Sequence, residues 1–255
     1  MPVLHERIAA DLRSLIHDGT LAAGDRLPTE QDLMAQYRAS RTPVRQALQT
    51  LANEGLIDTA TSRGTFVREQ RPLTLHAARY EREHREESPA DAYRSELLAQ
   101  GRAAGQTFEM RIVPASEAVA SRLRVAEQSL VVQRRCIRTV DARPSSVQDS
   151  YYPYDIADGT EILSPNDVKR GIIAVLAEEG HVEVGYVDEI RPRMPPQDDE
   201  RRLLQLGPGV PVLDQIRTAY TAQRPVRLTW NVWAADGIRL VYELGDLRAM
   251  HDEPR

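Results

Sequence analysis

The feature that most constrains the fold is a change in hydrophobic periodicity near residue 56. Before that point, apolar residues recur every three to four positions in three segments, which predicts amphipathic helices over residues 4–17, 29–37 and 40–54. After it, residues 56–60 and 65–68 alternate between apolar and polar side chains around a short turn, which is typical of a β-hairpin. The first 68 residues therefore predict three helices closed by a small hairpin.

The rest of the chain predicts a second, strand-rich domain. Residues 71–88 contain Pro72 and a run of charges without an apolar stripe, and we interpret them as a linker. Beyond the linker, helices are predicted over residues 90–100, 116–123, 168–179 and 197–205, and strands over 106–113, 129–140, 144–152, 182–192, 211–221, 225–234 and 238–244. Adjacent strands mixed with helices favour an α+β fold with a mainly antiparallel sheet. The predicted parts are thus residues 1–70, 71–88 and 89–248.

Composition excludes several classes of protein. One cysteine, Cys136, rules out an internal disulfide and a multi-cysteine metal site, and the six histidines lack metal-ligand spacing, so we expect no cofactor. The sequence has no export signal and no apolar run of about 18 residues, so we expect a cytoplasmic protein without a membrane segment. With 33 basic and 38 acidic residues the net charge is −5, which argues against a generally basic nucleic-acid coat but allows a local DNA-reading face.

The third predicted helix carries residues suited to reading DNA bases. Arg41 and Arg45 are four residues apart and so share one helical face, which Gln46 and Gln49 border. Arginine reads guanine by two parallel hydrogen bonds, and glutamine can read adenine. Arginines on an outer helix face can equally be solvated surface residues, and spacing alone does not decide between the two.

Four strings in this half resemble the DNA-binding domain of the GntR family of bacterial transcription regulators: Gly24–Glu30, Ser40–Leu48, Leu51–Ile57 and Arg63–Val67. The resemblance implies a winged helix-turn-helix in which Arg41 and Arg45 contact bases, Ser40 and Thr42 contact phosphate, and the wing tip enters the minor groove. The complete predicted DNA-binding set is Gln31, Arg38, Ser40, Arg41, Thr42, Arg45, Gln46, Gln49, Ser62, Arg63, Gly64 and Thr65.

Two positions depart from the family pattern. Family members commonly have arginine at the position of Gln31 and glycine at the position of Ser62. Gln31 removes one charge that would release counterions from DNA, although its amide can still bond a phosphate or base. Arg38 and Arg63 are predicted to compensate as phosphate contacts, with a solvated surface as the alternative.

The second half resembles the UTRA effector domain of the HutC subfamily, in the strings Arg134–Arg138, Asp149–Pro153, Arg217–Tyr220 and Val241–Leu244. The resemblance implies a chorismate lyase-like sheet that holds a small molecule and forms a homodimer. In a strand over 130–140, Arg134, Cys136 and Arg138 share one face, so at least one arginine should point inward. A buried arginine needs an anionic or hydrogen-bonding partner, which is either an effector or an internal ion pair.

The predicted effector-binding residues are Arg102, Arg135, Arg138, Gln148, Tyr151, Tyr152 and Glu243. For Arg138 the alternative is an ion pair with Asp149, Asp188 or Glu243, and for the tyrosines it is core packing. The loop from Gly101 to Gly105 lies where family members hold an anion with backbone N–H groups, with a bare turn as the alternative. Cys136 replaces one arginine of a family pair and Gln148 replaces a carboxylate, so the amino-sugar phosphate ligands of the family are not simply copied here.

These features together predict a homodimeric transcription regulator that binds a palindromic operator, acts as a repressor and is released by a small-molecule effector, either anionic or a polar ring. A DNA-binding regulator without a small ligand, of the plasmid-transfer type, is the alternative. A lyase-like enzyme is disfavoured because the sequence lacks a nucleotide-binding loop, a GxSxG elbow and an HExxH motif, and a shared fold does not carry catalysis with it.

Overall fold

The computed structural model describes residues 3–60, 64–68, 72–77, 89–207 and 209–243. The chain divides into two compact units, one formed by Met1–Arg71 with Arg193–Val212 and the other by Pro72–Pro192 with Leu213–Arg255. The helices are α1 (Leu4–His17), α2 (Glu30–Tyr37), α3 (Arg41–Asn53), α4 (Pro89–Ala99), α5 (Glu117–Leu123), α6 (Tyr154–Ala157), α7 (Ile172–Glu178) and α8 (Asp198–Leu203). The strands are β1 (Ile57–Ala60), β2 (Gly64–Val67), β3 (Leu73–His76), β4 (Ala104–Pro114), β5 (Leu130–Val140), β6 (Arg143–Pro153), β7 (Gly185–Arg193), β8 (Val212–Tyr220), β9 (Pro225–Ala234) and β10 (Ile238–Val241).

The first unit is built on the three predicted helices. The apolar stripes of α1, α2 and α3 meet in one core, whose fully buried side chains include Ile8, Leu12, Leu33, Val44 and Leu51. Helix α2 is capped by Thr29, whose hydroxyl accepts from the Asp32 backbone N–H while the Asp32 carboxylate accepts from the Thr29 backbone N–H. This local capping fixes where α2 begins, and the buried face of α3 leaves its opposite face open.

The wing consists of β1 and β2, which pair antiparallel with Ile57 opposite Val67. Gly64 opens β2 with a φ of 111°, which a residue with a side chain rarely adopts. A Cβ at this position would also lie 2.9 Å from Nε of Arg26, so the arginine side chain would have to move aside. The predicted tip residues Ser62 and Arg63 lie outside the described residues.

The second unit is organised around a six-stranded sheet with the order β4-β5-β6-β9-β8-β7. Strands β4 with β5, β5 with β6, and β6 with β9 pair antiparallel, which confirms the predicted α+β fold. Alternate residues of each strand face opposite sides. Val131 and Leu228 pack against α5 on one side, and Val132 and Tyr152 pack against α6 and α7 on the other.

Two of the predicted segments that differ from the structure are the linker and the helix predicted from residue 168. The segment predicted as linker contains β3, which pairs parallel with β10 with Leu73 opposite Ile238, and its two leucines are buried in a core cluster. The helix predicted from residue 168 begins only at Ile172, because Gly171 has φ 79° and ψ 147° and cannot continue a helix backward. No helix within the described ranges is both long and apolar enough to span a bilayer.

Candidate DNA-binding surface and ligand cavity

The exposed face of α3 presents the residues predicted to read bases. Val44, Ala47, Leu48 and Leu51 point into the core, whereas Arg41, Thr42, Arg45, Gln46 and Gln49 are exposed on the opposite face. The Gln49 amide donates to Asn53 Oδ1 at 2.8 Å, one turn further along the helix. The structure thus brings five predicted DNA-binding residues onto one open surface.

Glu30 of α2 is shared by both arginines of this face. Its carboxylate oxygens lie 2.9 Å from Nε of Arg45 and 3.5 Å from Nε of Arg41. The side chains of Arg45 and Arg41 remain 63% and 59% exposed, so solvent screens these ion pairs and they are weak. A DNA base or phosphate therefore has to displace only one half-buried carboxylate.

The start of α3 is also open. Ser40 is the N-cap residue, but its hydroxyl makes no capping hydrogen bond, which leaves this hydroxyl and the first backbone N–H groups of α3 available to an anion. Gln31 and Arg38 are exposed on α2 and at its end, where Arg38 adopts the left-handed conformation with φ 48°. Gly64 and Thr65 are half-buried at the start of β2.

A cavity of about 220 Å³ lies on one face of the six-stranded sheet in the second unit. Even-numbered residues of β4, β5 and β6 and odd-numbered residues of β8 and β9 form its floor. Three rows run across the strands: Gln106–Arg138–Ser146–Trp233, then Phe108–Cys136–Gln148–Asn231, then Arg134–Ser150–Thr229. Leu75, Ala77, Tyr93, Asp167, Val168, Gly171, Ile172, Ile173 and Leu240 form the walls.

Three of the four arginines that line the cavity have hydrogen-bond partners from the protein itself, and for two of them the partner is a carboxylate. Arg217 pairs with Asp188 and Arg227 with Glu183, each with two hydrogen bonds of 2.7–2.8 Å. Arg134, only 6% exposed, donates instead to the backbone carbonyl oxygens of Ile162, Ser164 and Asn166. Each of these guanidinium groups is held by the fold.

Arg138 is satisfied only in part. Its Nη1 donates to Oε1 of Gln148 at 2.8 Å, and its guanidinium lies 5.1 Å from the centre of the Tyr93 ring. Its Nε is buried without a partner, as are Oγ of Ser146 and Oδ1 of Asn231. Among the described residues no carboxylate forms an ion pair with Arg138, so the predicted alternatives Asp149, Asp188 and Glu243 do not neutralise it. Buried polar atoms without partners are unfavourable, and a bound molecule would satisfy them.

Of the seven predicted effector-binding residues, the structure brings Arg138, Gln148 and Tyr152 to the cavity. Arg135 and Tyr151 were predicted there, but each lies on the opposite face of the sheet, because residues adjacent along a strand alternate between its two faces. Arg135 forms two hydrogen bonds with Asp149 there, and the Tyr151 hydroxyl accepts from Gln133. Burial, with the nearby Asp149 carboxylate, raises the pKa of Tyr151 to about 12.

Two further predicted residues do not line the cavity. Arg102 pairs with Asp141, and the Ala103 N–H donates to the same carboxylate at 2.9 Å. Gly105 lies within β4 and pairs with Thr139, so the predicted anion-holding loop is already occupied by the protein's own acid. Glu243 is half-buried after β10 and is not a lining residue.

Sequence reasoning missed several lining residues, notably Tyr93, Gln106, Gln215 and Asn231. Each lies on an element that reaches the cavity only through pairing with a strand or helix distant in sequence. The alternation of β9 could have placed Asn231 on the same face as Thr229 and Trp233. Cys136, predicted to be a small buried residue, is buried in the cavity floor, and burial raises the pKa of its thiol. The described residues contain no cluster of three or more metal-ligating side chains.

Known proteins match both units. Residues 4–67 match the family described as bacterial regulatory proteins, gntR family, and residues 99–239 match the UTRA domain. The uncharacterised HTH-type transcriptional regulator SCO4628 of Streptomyces coelicolor is 30% identical over 230 residues, which cover 88% of this chain and 84% of the relative. The mannosyl-D-glycerate transport/metabolism system repressor MngR of Escherichia coli is 25% identical over 231 residues, covering 85% of each protein.

A solved structure shares the fold along most of the chain. The crystal structure of PhnF from Mycobacterium smegmatis aligns with a TM-score of 0.56 at 21% identity and covers 93% of this chain and 99% of PhnF. The matched domains and relatives are transcription regulators and not enzymes. Because the UTRA match alone spans more than half of the sequence, the chain belongs to the GntR family of bacterial transcription regulators, with a winged helix-turn-helix followed by a UTRA effector domain in the HutC-like arrangement.

Proposed function

We propose that this regulator is a homodimeric, cytoplasmic repressor that binds a palindromic operator and is controlled by a small molecule in the cavity of its second unit. The observation that carries the proposal is the cavity with three buried, unpartnered polar atoms, on Arg138, Ser146 and Asn231. A cavity of this size with unsatisfied hydrogen-bonding atoms is suited to a small polar ligand. It supports ligand control over the alternative in which no small molecule binds.

DNA binding is assigned to the exposed face of α3. Arg41 and Arg45 would each read a base edge in the major groove, with Gln46 and Gln49 beside them. Ser40, Thr42, Gln31 and Arg38 surround the open start of α3 and would contact phosphates. Ser62, Arg63, Gly64 and Thr65 are assigned to the wing that follows the minor groove. The repressor role is taken by analogy from the name of MngR, which is a repressor.

The dimer is assigned to the second unit. Four of its exposed large apolar side chains lie on or beside the edge strand β7, namely Val182, Val184, Val187 and Ile190. An exposed apolar edge strand is suited to pairing with a second copy, and two-fold symmetry then matches a palindrome. The effector would act by favouring a dimer state whose recognition helices do not fit the operator half-sites.

The test is a selection of genome fragments by the purified protein, followed by sequencing. We expect enrichment of a palindromic site near promoters, and at least one metabolite that lowers the affinity for that site. A selection without any enriched fragment would contradict the assignment of α3. A site that no metabolite affects would favour the regulator without a small ligand.

A further inference from the structure

We propose that Asn231 is the specificity-determining acceptor of the cavity, and that the ligand is a small anion that also carries a separate hydroxyl or N–H group. The anionic oxygen would accept from Arg138 Nε, and the hydroxyl or N–H would donate to Asn231 Oδ1. The inference rests on the proposed function only in taking the cavity as a ligand site. It adds which chemical groups the ligand must bring.

The orientation of the Asn231 amide is fixed by a chain of hydrogen bonds that runs from Asp188 through Gln215 to Asn231 and is called the relay below. The Asp188 carboxylate can only accept, and Gln215 donates to it through Nε2 at 3.0 Å. Oε1 of Gln215 is therefore the end that faces Asn231, and it accepts from Asn231 Nδ2 at 3.2 Å. The donor end of the Asn231 amide is thereby used, and its oxygen is left facing the cavity without a partner.

The first member of the relay is firmly ionised. Burial alone would raise the pKa of Asp188, but hydrogen bonds from Arg217, Tyr242 and Gln215 outweigh burial and hold it below its ordinary value. A charged Asp188 cannot donate to Gln215, so the Gln215 amide cannot rotate without losing two hydrogen bonds. Asn231 therefore presents an acceptor, and a ligand oxygen that lacks hydrogen would be repelled there.

The other end of the site calls for an acceptor on the ligand. Among the arginines of the cavity, Arg217 and Arg227 have carboxylate partners and Arg134 has three carbonyl partners, whereas Arg138 has only Gln148 and the Tyr93 ring. The Gln148 oxygen is used by Arg138, and its Nε2 donates to Ser150 Oγ, so Gln148 is also fixed. An anionic oxygen against Arg138 Nε is the group that the protein itself does not supply.

The two open atoms belong to residues two strands apart. Arg138 is on β5 and Asn231 on β9, and Gln148 of the intervening β6 pairs with Asn231 and accepts from Arg138 Nη1 at 2.8 Å. The two residues are thus linked through Gln148, and the anionic group and the donor group are separate groups of one short molecule. Ser146, paired with Arg138 on β6 and 1% exposed, has a free hydroxyl that can donate to or accept from the same molecule. A hydroxylated chain or ring bearing one anionic group fits this pattern.

Cys136 supplies the test, because it is the single cysteine of the chain and lies in the cavity floor. Its rate of modification by N-ethylmaleimide, followed by mass spectrometry of the full-length protein, reports occupancy without requiring DNA. The probes are matched pairs of equal charge: glycerol 3-phosphate against n-propyl phosphate, and 4-hydroxybutyrate against butyrate. Each probe is titrated to its solubility limit, and a Kd is taken from the protection of Cys136.

We expect at least one hydroxylated probe to bind about tenfold or more tightly than its partner, because the partner leaves Asn231 Oδ1 unsatisfied. Asn231→Leu should bring the two Kd values together while leaving the Kd of the deoxygenated probe nearly unchanged. Gln215→Leu, which frees the Asn231 amide to rotate, should also reduce the preference. Arg138→Met should weaken both members of a pair alike.

Equal Kd values within both pairs, a preference that survives Asn231→Leu, or no protection by any probe would each overturn the inference. Its failure is separable from failure of the proposed function. If a metabolite releases the operator but the matched pairs bind equally, the regulator assignment stands and the role of Asn231 falls. If hydroxylated probes protect Cys136 but no metabolite alters DNA binding, the role of Asn231 stands and control of DNA binding by a small molecule is contradicted.

Discussion

The exposed arginines of α3 and the buried arginines around the cavity differ in what neutralises them. Arg41 and Arg45 share one carboxylate, Glu30, and remain largely in water. Arg217 and Arg227 are about 90% buried, and each has its own carboxylate at two-point hydrogen-bond distance. Arginine thus forms solvent-exposed ion pairs that a ligand can replace in one unit, and buried ion pairs that hold the fold in the other. The comparison teaches that a count of arginines does not locate a binding site, whereas their partners do.

The largest expected effect is a loss of stability when one of the buried ion pairs around the cavity is broken. Asp188→Leu leaves Arg217 buried without its counter-charge, and we expect a loss of about 3–5 kcal/mol in the free energy of unfolding, measured by urea denaturation. The matched control is Arg111→Gln, which removes an exposed ion pair with Glu109 on β4 and should leave the denaturation midpoint unchanged. Equal effects of the two substitutions would contradict the distinction between buried and solvent-exposed ion pairs.

The next effect concerns base reading. Arg41→Ala or Arg45→Ala should each weaken binding to the selected operator by about 1–3 kcal/mol and relax the base preference at one position of each half-site. Fluorescence anisotropy with the operator and with single-base variants measures both quantities. Arg143→Ala, an exposed arginine at the start of β6, is the control and should alter neither. A variant of α3 that keeps full discrimination between bases would remove that arginine from the readout.

A smaller effect separates phosphate contacts from base contacts. Arg38→Gln should lower affinity alike for operator and unrelated DNA, and should reduce the slope of log Kd against log salt by about one. Titrations at several potassium chloride concentrations give this slope. If the slope is unchanged, Arg38 is a solvated surface residue, which was the alternative interpretation.

The smallest effect tests whether the ion pairs of Glu30 compete with DNA. Glu30→Gln removes the carboxylate that Arg41 and Arg45 share, and an exposed pair contributes at most about 1 kcal/mol. We therefore expect operator affinity to rise by up to about fivefold at low salt, with less difference at high salt. The same anisotropy titration measures it. A fall in affinity would mean that Glu30 positions the arginines for base contact and does not compete for them.

The sequence predicted the first unit more completely than the second because its signals are local. The bounds of α1, α2 and α3 follow from apolar spacing and from caps such as Thr29, all within a few residues. The same periodicity identifies the exposed side of α3, since Val44 and Leu51 determine the buried side. The strand β3 was missed because four residues with two leucines are too short to distinguish from a linker until β10 is known to pair with them.

The cavity could be predicted only in part because its surface comes from strands distant in sequence. Alternation correctly grouped Arg134, Cys136 and Arg138 on one face of β5, and the burial cost of arginine indicated that this face needs partners. Alternation cannot say which face points inward, and so Arg135 and Tyr151 were assigned to the wrong side. The roles of Asn231 and Gln215 depend on the order β6-β9-β8, which no local pattern shows.

The hydrogen bonding of Arg134 to backbone carbonyl groups has a consequence for the speed of ligand exchange. The backbone carbonyl groups of Ile162, Ser164 and Asn166 hold it to the segment that supplies the wall residues Asp167 and Val168. A separation of that segment from the floor would break hydrogen bonds between Arg134 and neutral groups, which water can replace on both sides. Such a separation would leave no buried carboxylate without its partner, whereas moving Arg217 would leave Asp188 unpaired. We therefore expect the opening rate of this wall, and with it the rate of ligand release, to depend little on salt or on pH near neutrality.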